Sequence, residues 1–207
     1  MPRPNPHRRR ALADAAVTLL AQRGAHGLTH RSVEARADVP AGTATNYFRS
    51  REGLLVAAAE RIVELHVAEA ERATGEVVSD PDRVAPSGPG RAEATVHTMV
   101  DLLSASLWTA ATALRDRYLA VFELQMEARR SPRLAAVLGR LEEATYSSTV
   151  RLHEDLGTLA TKDTVATLGA LYAGALFTLV TRPVEQVDRA AVRALVEAMV
   201  RGAFARA

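Results

Sequence analysis

Between Thr29 and Arg51 the chain reads THRSVEARADVPAGTATNYFRSR. The chemistry concentrated there is that of recognition, not of bond breaking. Thr43 and Thr45 bring hydroxyls, Asn46 an amide, Tyr47 a phenol, and Arg49 and Arg51 a basic exit. Amides and hydroxyls can read the edges of base pairs, while tyrosine and arginine reach phosphate oxygens. Thr43, Thr45 and Asn46 are therefore candidates for base edges, Asn46 through an amide pair with adenine. Tyr47, Arg49 and Arg51 are candidates for phosphate, together with Thr29, His30 and Arg31 twelve or more residues earlier. Arg31 is also a candidate for guanine.

Such groups need a rigid frame, and the spacing predicts one of two short helices joined by a tight turn. Thr29 is placed to cap the first, since its hydroxyl can accept from backbone N–H groups left free in the first turn. Val33 and Ala37, four apart, give that helix one inward edge. Asp38-Val39-Pro40-Ala41-Gly42 then breaks it, with Val39 as the buried pin of the turn. Pro40 is tolerated where a second helix opens, because a missing N–H matters least there. This second helix is expected over residues 41–48, with Phe48 in the core.

At these residues the chain resembles the TetR family of transcriptional regulators. The resemblance rests on Val33, Ala37 and Val39 around the turn, Gly42, Tyr47-Phe48, Arg51-Glu52, and Leu54-Leu55 opening the next helix. It is specific over residues 8–60 and architectural beyond. Three positions depart from the family pattern: Glu34 for the usual alanine, Asp38 for the usual glycine of the turn, and Thr45 for a common tyrosine. Asp38 can adopt a left-handed conformation at modest cost, so the turn survives. Thr45 removes a common phosphate contact. The resemblance implies an all-α protein: an N-terminal three-helix helix-turn-helix domain (1–51), then a linking helix and a helical ligand-binding and dimerisation domain (52–207).

Composition supports a helical chain. Its 207 residues are rich in alanine, leucine, valine and arginine, with 4% aromatics; strand-like alternation is missing, and the length is enough to bury a substantial core. The absence of cysteine excludes disulfides and thiolate metal sites and fits a reducing compartment. Residues 1–51 hold nine arginines against three acids, whereas the remainder holds seventeen basic residues against twenty-one acidic ones. One end suits a polyanion and the other does not. The start, Arg8-Arg9-Arg10 followed by ALADAAVTLLAQ, superficially resembles a secretion signal, but Asp14 interrupts it and its apolar residues recur at helical spacing. The run Leu168 to Val180 is too short to span a bilayer. The expectation is a cytoplasmic protein with no membrane partner.

Along the chain, residues 1–7 read as a flexible arm, whose Arg3, with Arg8–Arg10, is either a follower of the DNA backbone or a solvated terminus. A helix is expected over residues 7–22, burying Leu12, Ala16, Leu19 and Leu20, and another over residues 51–73. The Pro- and Gly-rich stretch 75–90 predicts a loop without regular structure. Val96, Met99, Val100, Leu103 and Leu107 form a stripe ending near Trp108. Tyr118, Leu119, Val121, Phe122, Leu124 and Met126 make the next helix apolar almost all round, hence central. Ser131-Pro132 restarts a helix that Gly157 stops. Helices over 161–180 and 184–204 follow, split by Arg182-Pro183. Small residues at Gly169, Ala170, Ala173 and Gly174 allow close helix approach. The resemblance implies that these last two helices pair with their copies in a homodimer.

For a sensing pocket, Met99, Leu103, Trp108, Tyr118, Phe122, Met126, Tyr146 and Phe177 are the large adaptable side chains, with Glu123, Gln125 and tyrosine hydroxyls as polar groups. The lean is towards a lipophilic effector. Catalysis finds no nucleophile–base pair: His26 and His30 flank Gly27 at a helix start, and His66, His97 and His153 read as isolated surface or interface residues. Gly88-Pro89-Gly90 lacks the lysine and hydroxyl of a phosphate loop. No cofactor, metal or enzyme activity is expected. The reading is a homodimeric repressor, released from a palindromic double-stranded operator by a small molecule. Its alternatives are a DNA-binding regulator without ligand sensing, and a helical enzyme or adaptor.

Overall fold

The computed structural model describes residues 5–78, 91–155 and 160–204. Among these residues there are nine α-helices and no strand: α1 Pro6–Arg23, α2 His30–Arg36, α3 Thr43–Tyr47, α4 Arg51–Val78, α5 Arg91–Ala111, α6 Arg115–Ala128, α7 Pro132–Asp155, α8 Lys162–Val180 and α9 Arg189–Phe204. They form two packing units, one from residues 1–67 with 116–142 and the other from 68–115 with 143–207.

In the first unit, α1 starts where the Asn5 side chain accepts from the backbone N–H groups of His7 and Arg8, with Pro6 at the first helical position, where no N–H is needed. The apolar spacing of α1 buries Leu12, Ala16, Leu19 and Leu20 as expected. These meet Leu28, Val33, Ala44, Phe48, Leu54, Leu55, Ala58 and Ile62 in one core, which also takes in Ala120, Val121 and Leu124 of α6 and Leu134, Val137 and Leu138 of α7. Arg9 of the basic run pairs with Glu60 at 2.9 Å, and Arg61 with Asp14 at 2.7 Å, tying α1 to α4. Hydrogen bonding to Asp14 is the main reason the Arg61 guanidinium is held even more firmly in its charged form.

Four sequence expectations need correction here and in the second unit. Residues 75–78 continue α4 as helix, although Gly75 opens the Gly- and Pro-rich stretch; the rest of that stretch, 79–90, lies outside the described residues, as does Gly157. Helix α6 is not buried all round: Ala120, Val121 and Leu124 are, but Met126 is 62% exposed. Its apolar residues fall on too many faces for one core to cover. The final helix begins at Arg189, after a single 3-10 turn at Val184–Gln186, because Asp188 supplies the cap by accepting from the Ala191 N–H. Finally, α8 has 19 residues and is long and apolar enough, by length and composition, to cross a membrane. Within its unit, however, it turns Val165, Leu168, Leu176, Leu179 and Val180 into a core shared with α5 and α9.

That second core adds Met99, Val100 and Leu107 from α5, and Val192, Val196, Met199 and Val200 from α9. Ion pairs from Arg193 to Asp101 and from Arg201 to Glu93, with a Ser106–Tyr172 hydroxyl contact of 2.8 Å, fix the three helices in register. Outside the core, α8 exposes Ala170, Ala173, Gly174 and Phe177, and α9 exposes Ala191, Ala194, Leu195, Ala198 and Gly202. Each set recurs at helical spacing, giving a shallow apolar stripe of small side chains.

His153, read as a surface or interface residue, is instead 4% exposed. Burial lowers its pKa below the ordinary imidazole value of 6.5. Unfolded chains therefore bind this proton first as pH falls, so stability is lost below about pH 6.5 until the folded pKa is passed, at up to about 1.4 kcal/mol per pH unit. Thermal unfolding of the wild type and of His153→Gln between pH 7.5 and 5 should show the larger decline in the wild type; parallel profiles would mean the residue is not a neutral buried histidine.

Candidate nucleic-acid interface

The entry to the segment 29–51 is set by Thr29. Its Oγ1 accepts from the Ser32 N–H at 3.0 Å, and the Ser32 Oγ accepts from the Thr29 N–H at 2.9 Å, a reciprocal capping box. Ser32 Oγ also donates to the Gly27 carbonyl at 2.8 Å. The adjacent His30 is half-buried, and its Nε2 lies 2.6 Å from the Phe48 carbonyl oxygen, which only a protonated Nε2 can satisfy. That ring thus bridges the start of α2 to the end of α3. Arg31 is exposed.

The turn follows at Asp38, the only described non-glycine residue at positive φ (+52°), and Val39 donates its N–H back to the Glu34 carbonyl. Val39 is partly buried against the core. The second helix is shorter than the expected 41–48. Gly42 adopts φ +84° and stands outside it as the N-cap, Pro40 lies in the turn, and Phe48 leaves it in an extended conformation. Thr43 uses both its N–H and its hydroxyl on the Pro40 carbonyl, which tightens the turn before the helix begins.

Gly42 has no side chain with which to cap α3. The acceptor comes from α2: Glu34, only 6% exposed, accepts the Ala44 N–H at 2.7 Å. Sequence reasoning identifies Glu34 as a departure from the family pattern and gives it no role. The available signal is one of only two acids, with Asp38, in a predominantly basic segment, at a position the pattern fills with a small apolar residue.

With Ala44 and Phe48 buried beneath it, α3 leaves Thr45 and Asn46 exposed, followed by exposed Arg49. Thr43 and Tyr47 are half-buried, and the Tyr47 hydroxyl accepts from the Asn5 N–H at 3.1 Å, which ties the start of α1 to α3. Arg51 is engaged within the protein. It donates to the Ala25 carbonyl at 2.6 Å and pairs with Glu127 at 3.1 Å. Glu123, a candidate polar group of a pocket by sequence, accepts the Ala25 N–H at 2.8 Å. The structure therefore gathers Arg31, Thr45, Asn46 and Arg49 as exposed groups on one segment, half-buries His30 and Tyr47, and ties the still exposed Arg51 to Ala25 and Glu127.

The effector candidates divide. Tyr118, Phe122 and Met126 belong to the first packing unit, while Met99, Leu103, Trp108, Tyr146 and Phe177 belong to the second. Met99 is core at 2% exposure, whereas Tyr146 and Phe177 are exposed. The Trp108 ring carries the Arg189 guanidinium 4.8 Å from its centroid, a cation–π contact. A surface depression in the first unit is lined by Met126 with Glu127, Arg129 and Arg130.

Residues 12–58 match the model of the bacterial regulatory proteins of the tetR family, and residues 91–202 match the tetracyclin repressor-like C-terminal domain. No curated protein sequence matches significantly. Among solved structures, one from Mesorhizobium loti described as a TetR-family transcriptional regulator is 14% identical, covers 97% of this chain and 96% of its own, and superposes with a TM-score of 0.74. The multidrug binding protein EbrR, complexed with ethidium, is 26% identical over 95% of this chain and 99% of its own, with a TM-score of 0.62. A transcriptional regulator structure from Saccharomonospora viridis in complex with choline is 19% identical, covers 95% and 97%, and has a TM-score of 0.71.

Proposed function

The chain belongs to the TetR family of DNA-binding transcription regulators, and from that premise we propose that it is a ligand-responsive repressor acting as a homodimer on a palindromic operator. The observation that carries this reading is the short α3 itself. It is held by buried Ala44 and Phe48 and capped by Glu34, and it leaves Thr45 and Asn46 exposed between Arg31 and Arg49. A five-residue helix has no stability of its own; fixed on a scaffold, it suits insertion into a major groove. Asn46, Thr45 and Thr43 read base edges, and Arg31 and Arg49, with Thr29, hold phosphates. In this division residues 1–51 read DNA and 52–207 link, sense and dimerise.

A two-fold reader needs two copies. The exposed stripe of small residues and Phe177 on α8 and α9 supports pairing through those helices, since small side chains let helix axes approach closely. For the effector, the complexes of EbrR with ethidium and with proflavin support a lipophilic organic molecule. The effector releases DNA only to the extent that it prefers a conformation in which the two readers are wrongly spaced, and α4, which has residues in both packing units, is the element to carry the change. Linkage then requires operator and effector to weaken each other by the same factor. Such a regulator works in the cytoplasm, alongside the chromosome.

The test is selection by the purified protein from a randomised duplex library, with recovered duplexes retested across a salt series. A palindrome bound at least about a thousandfold more tightly than random DNA supports the reading. Uniform, salt-sensitive binding without preference removes it.

A further inference from the structure

We propose that Glu123 and Glu127 of α6 form a latch that holds the DNA-reading segment at both its ends, and that Arg51 serves this latch instead of a phosphate. This assignment rests on the DNA-reading function above and concerns what positions that reader.

The segment that reads DNA enters at the 3-10 turn Ala25–Gly27, just before α2, and leaves at Arg51, the first residue of α4. Gly24 sets up the entry. At φ +64° and ψ −179° it occupies a region open essentially to glycine alone, and its N–H closes α1 on the Leu20 carbonyl. A Cβ at this position would sit 3.2 Å from Glu123 Oε2, so the carboxylate and the glycine are fitted to each other. The turn presents both backbone groups of buried Ala25. Its N–H goes to Glu123 and its carbonyl to Arg51, whose other terminal nitrogen meets Glu127.

Glu123 and Glu127 are four residues apart and share one face of α6. That single face grips the entry of the reading segment directly and its exit through Arg51. Ser131, just beyond α6, adds a hydrogen bond from its hydroxyl to Glu52 beside Arg51. The pairs are too exposed to contribute much to global stability: the Arg51 and Glu127 side chains are 43% and 22% accessible. What they fix is direction. With entry and exit held by one helix, the orientation of α2 and α3 follows α6, and any molecule that shifts α6 by more than a hydrogen-bond length loosens the reader.

Two assignments for Arg51 predict opposite signs. If Arg51 contacts phosphate, Glu127 competes with DNA for it, and Glu127→Ala strengthens binding and steepens the salt dependence. If Arg51 serves the latch, Glu127→Ala weakens the selected palindromic duplex about fivefold, Glu123→Ala about tenfold, and neither changes the salt slope, as expected for a charged hydrogen bond discounted for solvent. Glu142→Ala, which removes one exposed carboxylate elsewhere in the same unit, corrects for net charge. Hydrogen exchange on the free full-length protein decides independently of DNA. Both latch variants should lose protection at residues 24–28 and 43–48 while the core of α4 stays protected. Tighter binding by Glu127→Ala, or unchanged exchange at those segments, overturns the latch. Failure of the wild type to prefer any duplex would instead strike the DNA-reading function, leaving the exchange result to judge the latch.

Discussion

Replacing Glu34 by alanine is expected to lower affinity for the selected operator about 10- to 100-fold while changing affinity for random DNA by much less. The carboxylate supplies the acceptor for the Ala44 N–H at the start of α3, where Gly42 offers none. Both groups are buried, so removing Glu34 leaves a donor without water or protein partner, a penalty of about 1–3 kcal/mol. A helix of five residues cannot absorb that loss through its own hydrogen bonds, so it tilts or frays. Base contacts require tenths of an ångström, whereas phosphate contacts tolerate movement, and the loss therefore concentrates in the specific complex. Alanine also removes a buried charge, which can restore global stability. Thermal midpoint is thus a poor readout, and the ratio of specific to random binding is the informative one. Glu34→Gln keeps an amide oxygen in place and should recover most of the ratio. Equal binding by Glu34→Ala and wild type would show that Ala44 and Phe48 position α3 without the carboxylate.

The second large effect separates reading from holding. Asn46→Ala should weaken the operator by about 1–3 kcal/mol, the value of one bidentate base contact, and leave random DNA almost unchanged. Arg49→Ala should weaken both and reduce the slope of log affinity against log salt by about 0.9 for each phosphate it no longer neutralises. Both residues are exposed and lie three apart around the end of α3, so neither substitution disturbs the core. Equal losses on operator and random DNA for Asn46→Ala would move it from base edge to backbone. An unaltered slope for Arg49→Ala would leave that guanidinium in solvent.

The local grammar of this segment is legible in the chain. Thr29 as cap, Asp38 in a left-handed turn and Phe48 in the core each depend on residues a few positions apart, and each is found as expected. What escapes the sequence is long-range. Glu34 caps a helix ten residues away, and Glu123 and Glu127 reach Ala25 and Arg51 across 98 and 76 positions. No periodicity encodes such pairs. Arg51 shows the consequence: beside such a helix a guanidinium suits a phosphate, and only the fold shows that the Ala25 carbonyl and Glu127 already engage it. Met126 errs in the opposite sense, because hydrophobicity gives a side chain's preference but not whether a neighbour is there to cover it. The fold and the exposed face of α3 are therefore within reach of the sequence, and the scaffold that aims that face is not.

The core beneath the reader draws Ala120, Val121, Leu124, Leu134, Val137 and Leu138 into contact with Leu12, Leu54 and their neighbours. This bears on modularity. A reading head cut out at residue 51 or 67 and fused to a foreign sensor would carry its DNA-facing side chains intact, yet would leave behind the surface on which α1 and α4 close. Recombination within such proteins therefore has no clean seam near the front of the chain. A working chimaera must import residues 116–142 along with the N-terminal portion, so specificity for DNA and a stretch from the middle of the chain are inherited together.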